Sequence, residues 1–206
     1  MKYSASYTAG GLLFDEVETL YPILIEENWQ QMLRQDIITN QYFKINSEAA
    51  RKRLTTEFIL RFKNTNFTFW KEYETHNNSD KMAMLFYNCL CSYKIIYDFH
   101  FTVTIPRFIS LDTKLDNYWY EIRLQTIASV EPEVDKWAIS TKTKIITRYV
   151  GMLKKCGMLV NGILIKPELN PSLLCYFIKE NNFWALDAFL LKVHEKENII
   201  NLCNDN

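Results

Sequence analysis

The chain has 206 residues, 48% hydrophobic and 23% charged, with 24 basic side chains balanced by 24 acidic ones and a formal net charge of zero. It can bury a sizeable core as one domain or as two small lobes, and its composition is that of an ordinary globular protein. Five glycines and five prolines are few for a turn-rich β fold, and zero net charge excludes a uniformly basic polyanion binder, although cations gathered on one face of a neutral protein still bind a polyanion.

The first periodic segment is residues 12–25, where Leu13, Val17, Leu20 and Leu24 recur at three- and four-residue steps. That spacing predicts an amphipathic helix, with Pro22 kinking or shortening it. Before it, Gly10-Gly11 either forms an anion-binding nest or only lets an N-terminal arm turn tightly. A short helix follows over residues 28–36. Asn46-Ser47 then offers an N-cap for a strong helix over 48–62. Helix, helix, turn, helix is the order across this part of the chain. Phe67, Phe69 and Trp70 anchor a further short helix.

Ser79-Asp80 is the expected cap of a long helix over residues 81–97. Its apolar residues, among them Met82, Leu85, Phe86, Leu90 and Ile96, cover a wide face and mark it as the central buried helix. Thr102 to Ile105 is β-branched and could be a strand, but a helix-to-helix transition ending before Pro106 is the favoured reading. Helices are predicted over 112–129 and 132–137. Residues 129–132 are the best candidate boundary between a region 1–130, containing a first helix-turn-helix, and a region 131–206, although one compact unit fits the pattern equally.

Ser140-Thr141 is placed to cap a helix running to Cys156, with Gly157 as its stop. Met158-Leu159-Val160, Asn161-Gly162 and Ile163-Leu164-Ile165 read as a tight hairpin, because both turn positions tolerate positive φ. Asn170-Pro171 begins another helix, and a last apolar helix covers 183–193. The fold class expected is all-α, mostly helical, with two helix-turn-helix-like elements, the C-terminal one carrying a short β-hairpin wing. No uncharged stretch, neither 3–14 nor 82–93, approaches the ~20 apolar residues that a membrane-spanning helix needs. With no apolar leader, a cytoplasmic location is expected.

Residues 136–167 contain no Asp or Glu but carry Lys136, Lys142, Lys144, Arg148, Lys154, Lys155 and Lys166. On a helical wheel, Ile145, Tyr149, Met152, Leu153 and Cys156 share one side. Lys144, Arg148, Gly151 and Lys155, at i, i+4, i+7 and i+11, share the other. A solvated helix face is often charged, but surface helices normally mix signs, since opposite charges at i, i+4 stabilise them. Helix, turn, basic helix and wing together resemble a winged helix-turn-helix, whose second helix enters the major groove. Arg51-Lys52-Arg53 opens the earlier strong helix and forms a second, weaker cationic candidate, although Arg51 lies near the Leu54/Phe58 side and can instead pair inside the protein.

Catalytic signatures are lacking. His76, His100 and His194 are scattered, and no phosphate-binding loop of the GxxxxGK[ST] or GxGxxG kind is present. Five cysteines with no CxxC spacing read as free thiols, building neither a zinc site nor a disulfide framework. No cofactor is expected.

The opening Tyr3-Ser4-Ala5-Ser6-Tyr7-Thr8-Ala9-Gly10-Gly11-Leu12-Leu13 resembles the start of the BrxA family, small components of bacteriophage-exclusion (BREX) defence systems. The block from Ser140 to Leu159, and then Pro167 and Asn170-Pro171-Ser172-Leu173-Leu174, resembles that family's C-terminal helix and wing. The resemblance implies an all-α fold with two helix-turn-helix elements, affinity for double-stranded DNA, and action beside other BREX subunits. Carried onto this chain, its DNA-binding positions are Arg51, Lys52 and Arg53 near the first element and Lys142, Lys144, Arg148 and Lys155 near the second; the winged pattern itself adds Lys166, at the far end of the hairpin that would lie alongside the backbone. The expectation is a non-enzymatic accessory that binds double-stranded DNA largely without regard to sequence. The alternatives are a protein-interaction scaffold within the defence complex and a helical RNA-binding protein.

Overall fold

A computed structural model describes residues 2–6 and 10–204; Tyr7, Thr8 and Ala9 of the N-terminal motif lie outside the described residues. The chain is mostly α-helical. In the N-terminal part, α1 (Phe14–Leu24), α2 (Trp29–Thr39), α3 (Glu48–Lys63) and α4 (Phe67–Thr75) follow one another. Leu13 adopts a left-handed conformation and delays α1 to Phe14, and Pro22 falls in its last turn. Ser47 caps α3 as its sequence predicts, accepting the Ala50 amide at 3.2 Å.

The central helix α5 (Asn78–Ser92) is buried all round from Ala83 to Leu90. Its cap is Asn77, not Ser79-Asp80: the Asn77 side chain accepts the Asp80 amide at 3.0 Å. The helix stops where Tyr93 turns extended (φ −129°). The chain then re-forms as α6 (Lys94–Phe99), a π-helical turn (His100–Thr104) and α7 (Ile105–Ile109). Thr102 to Ile105 is therefore helical and not a strand. Pro106 lacks an N–H, and its ring crowds the Thr102 carbonyl four residues back, which a widened π turn accommodates.

The C-terminal half contains α8 (Asn117–Ala128), α9 (Pro132–Asp135), α10 (Ile139–Lys155), the hairpin β1 (Leu159–Val160) and β2 (Ile163–Leu164), α11 (Pro171–Lys179), α12 (Trp184–Ala188) and α13 (Val193–Asn204). Of the apolar helix expected over 183–193 only the short α12 forms; the chain breaks where Leu190 takes a positive φ of 59°, and α13, not expected from the sequence, follows from Val193. Among the described residues, no helix is long and apolar enough to cross a membrane.

Two buried polar networks tie these helices together. In the first, the fully buried Arg61 guanidinium donates to the Leu12 carbonyl at 2.9 Å and the Gly11 carbonyl at 2.7 Å, while its Nε donates to the Tyr93 hydroxyl at 3.2 Å. Tyr93 in turn donates to the Glu57 carboxylate. A buried cation is tolerated only with such partners. The turn at the glycine pair thus presents the Gly11 and Leu12 carbonyls to a cation: Gly11 takes φ 65°, and a Cβ on Gly10 would meet the Leu13 side chain at 2.7 Å.

The second network joins the π turn to α8, α10 and α12. His100 Nδ1 lies 2.8 Å from the Tyr149 hydroxyl and its Nε2 lies 2.8 Å from the Ala188 carbonyl. Thr104 Oγ1 lies 2.6 Å from the Tyr149 hydroxyl and 2.8 Å from that of Tyr120. Complete burial lowers the His100 pKa from 6.5 to about 4, against the smaller raising effect of the Ala188 carbonyl.

Arg61→Met keeps the bulk but strands the two carbonyls and Glu57. It is expected to cost about 3–5 kcal/mol, read as a lowered urea midpoint; an unchanged midpoint contradicts the network's role. For His100, the unfolded chain binds the proton more readily than the folded one. Stability from the neutral ring is complete above about pH 6.5 and is lost as the pH falls toward 4, by roughly 3 kcal/mol over that window. His100→Gln, which does not titrate, is expected to show a shallower fall of melting temperature across the same range. Parallel curves for the two proteins rule this out.

Candidate nucleic-acid interface

Residues 113–115 decide how the C-terminal element is built. Leu164 donates its amide to the Thr113 carbonyl at 2.8 Å, Leu115 donates to the Gly162 carbonyl at 2.9 Å, and Lys114 bridges Ile163 in antiparallel sense. A third extended segment thus lies beside β2, opposite β1, which explains why α8 starts only at Asn117. Asp116 caps that helix, accepting the Tyr118 amide at 2.9 Å. The hairpin pairs Leu159 with Leu164 and Val160 with Ile163 across Asn161 (φ 51°) and Gly162 (φ 80°), the two positive angles a two-residue turn requires.

The sequence of α10 fixes its orientation. Ile145, Ile146, Tyr149, Met152 and Leu153 are buried, and Cys156 directly beyond the helix packs against α5, its thiol 3.4 Å from the Met82 carbonyl. The helix begins at Ile139 with no side-chain cap, so Ser140 and Thr141 lie within its first turn and not before it. It ends as expected at Gly157 (φ 69°), where the Met158 amide reaches back to the Leu153 carbonyl at 2.8 Å. Ser140, Thr143, Lys144, Thr147, Arg148, Lys154 and Lys155 point into solvent. Among the described residues, Lys144, Arg148, Lys154 and Lys155 have no carboxylate within ion-pair distance. The other side of the helix borders a groove against α8 lined by Glu121, Gln125, Asp135 and Lys142. Free cations therefore occupy one flank and carboxylates the other.

The remaining candidate cations are placed differently. Lys142 is half-buried and donates to the Asp135 carbonyl at 3.2 Å. Lys166 is paired with Glu195 of α13. Lys136 is bound to Glu133 at 2.9 Å. Lys52 is exposed but paired with Glu48 at 2.7 Å, and Arg53 is exposed. Arg51 is buried: its Nε donates to the Ile37 carbonyl at 2.7 Å, and its Nη1 donates to the carbonyls of Ile45 and Asn46. From the other side of the same loop, buried Asp36 accepts the amides of Gln41 at 2.6 Å and Phe43 at 2.7 Å. Burial alone would raise the Asp36 pKa, but these donors more than offset it, and the carboxyl stays below its usual range. Arg51 and Asp36 together shape the α2–α3 turn, so Arg51 is structural and leaves the list of surface cations.

One exposed cation had no sequence signal. Lys114 stands on the outer face of the small sheet with Val160 and Ile163, and only the strand pairing shows it. The cysteine expectation also needs correction. Cys175 and Cys203 form a disulfide between α11 and α13, leaving Cys89, Cys91 and Cys156 free. The 28-residue separation carries no spacing signature, because adjacency of the two helices is a tertiary fact.

The fold is similar to that of an uncharacterized protein from Magnetospirillum magneticum known from a crystal structure. The TM-score is 0.75 at 16% identity, with 92% of this chain and 98% of that chain covered. At that identity the likeness concerns the fold alone. No curated protein matches the chain. The BrxA family model matches residues 1–181, and the chain therefore belongs to the BrxA family, whose members are components of BREX phage-defence systems.

Proposed function

We propose that this member of the BrxA family is a non-enzymatic accessory of its BREX system that grips double-stranded DNA by the phosphate backbone, with little base reading. The observation that carries the reading is the outward row Lys144, Arg148 and Lys155, unpaired on a helix whose opposite face is locked into the core. Its surroundings agree with a winged helix-turn-helix. In chain order they are a helix ending at Ile109, the segment 113–115, α8, the single turn α9, α10 and the hairpin, with β2 between β1 and that segment. Ser140 lies on the exposed side, and a hydroxyl of this kind donates to phosphate oxygens. The hairpin turn Asn161-Gly162 bears no charge, so the sheet's contribution to phosphate binding falls to Lys114.

One feature favours a second reading. Val160, Ile163 and Ile165 are 46%, 39% and 40% exposed on the hairpin, a small apolar strip suited to another subunit of the defence complex. Association with a purified subunit that survives nuclease and high salt supports that role, and displacement of duplex by structured RNA would shift the reading to RNA binding.

If about four cations meet phosphates, log K for a labelled random duplex is expected to fall against log[salt] with a slope of roughly −3 to −4. Anisotropy titrations at several salt concentrations measure it, and a flat response contradicts phosphate binding. Lys144→Glu with Arg148→Glu is expected to weaken binding by about a hundredfold or more at 0.1 M salt, with an unchanged melting temperature. Lys52→Glu is expected to leave affinity intact, and full affinity in the double variant would displace the site from α10.

A further inference from the structure

Helix α13 packs against α11, but most of its side chains face solvent. Of its described side chains only Cys203 is buried, with Glu195, Lys196, Ile199 and Ile200 half-buried. Its attachments include the disulfide to Cys175, the ion pair between Glu195 and Lys166, and the pair between Lys196 and Asp187 at 2.6 Å. Both ion pairs are partly exposed, and pairs of that kind contribute little on their own. Cys203 also lies beyond residue 181, where the family match ends, whereas Cys175 lies within it. The covalent bond therefore joins the family's part of the fold to a segment outside the match.

Lys166 is the cation that α13 neutralises. A side chain on Gly157 would start 3.9 Å from Pro167, the next residue, and Ile165 donates its amide to the Met158 carbonyl at 3.0 Å. Both contacts put Lys166 at the end of α10 that carries Lys154 and Lys155.

We propose that the Cys175–Cys203 disulfide is a redox latch that keeps α13 in place with Glu195 paired to Lys166, and that its reduction opens α13 and frees Lys166 for the cationic face. The reductant is a dithiol of the dithiothreitol or thioredoxin class. One of its thiolates attacks Cys175 Sγ, the half-exposed sulfur, and Cys203 leaves as a thiolate that takes up a proton. The reductant's second thiolate then displaces Cys175, which is protonated in turn. Two electrons and two protons pass to the protein, which ends with two thiols, and the reductant ends as its own disulfide. Without the tether, α13 keeps its half-buried isoleucines against α11 and two weak ion pairs but loses its one covalent bond, so it opens locally more often and takes Glu195 with it. The consequence for DNA rests on the phosphate-binding reading above; release of α13 and of Lys166 does not.

The test uses the full chain, air-oxidised or treated with dithiothreitol. On reduction, amide exchange across residues 193–203 is expected to rise about tenfold or more, and acetylation of Lys166, followed by mass spectrometry, to quicken with it. The salt slope for a random duplex is expected to steepen by about 0.9, one added phosphate contact. Cys203→Ser should behave as the reduced protein under air. Oxidised Glu195→Gln should speed acetylation of Lys166 while α13 exchange stays slow. Unchanged exchange and acetylation on reduction, or no linked Cys175–Cys203 peptide after oxidation, overturns the latch. Faster exchange and acetylation with no duplex binding in either state upholds the latch and overturns the phosphate reading instead.

Discussion

Everything attributed to the cationic face depends on α10 being held in one rotational setting. A helix that can roll on its axis turns charges inward as readily as outward, and apolar packing alone tolerates some rolling. Here the buried face is fixed by directional bonds as well. Tyr149 places its hydroxyl between His100 and Thr104, and Thr104 also reaches Tyr120, so three helical segments meet at one point. Such a network is specifying because an unpaired hydroxyl or imidazole at that depth would be costly. Lys144, Arg148 and Lys155 are left outward as the complement of that geometry.

The N-terminal motif has an analogous logic. Arg61 is a buried guanidinium that needs acceptors, and it finds two of them in the carbonyls of Gly11 and Leu12. The glycine pair lets the backbone turn so that these carbonyls lie against α3, while Glu57 and Tyr93 complete the surroundings. A motif that looks like an anion-binding turn when read alone is, in the fold, part of a cation's solvation shell. Both arginines that proved architectural, Arg51 and Arg61, are bound mainly by backbone carbonyls and not by carboxylates, which makes them hard to distinguish from surface arginines by composition.

Features with local causes were legible before the structure. The Ser47 cap, the glycine stop at Gly157, the Asn161-Gly162 turn and the apolar stripe of α10 all arise from residues within a few positions of one another. Features with distant causes were not. The pairing of Lys114 with Ile163 and the Cys175–Cys203 bond each join segments whose proximity only the fold creates. The burial of Arg51 was left open because its position on the wheel was compatible with either side. At the π turn, two local tendencies pulled against each other, β-branching toward a strand and the flanking helices toward helix, and packing of His100 and Thr104 decided the outcome. Of the candidate site, the α10 row was readable and its neighbours were not.

The central claim is that the α10 cations meet the phosphate backbone. Amine-reactive footprinting with and without a saturating random duplex tests it most directly, since each lysine reports its own exposure. The account expects Lys144, Lys154 and Lys155 to become protected when duplex is bound, while Lys52 on α3 reacts as before. Protection at Lys52 with Lys144 and Lys155 still reactive would contradict it.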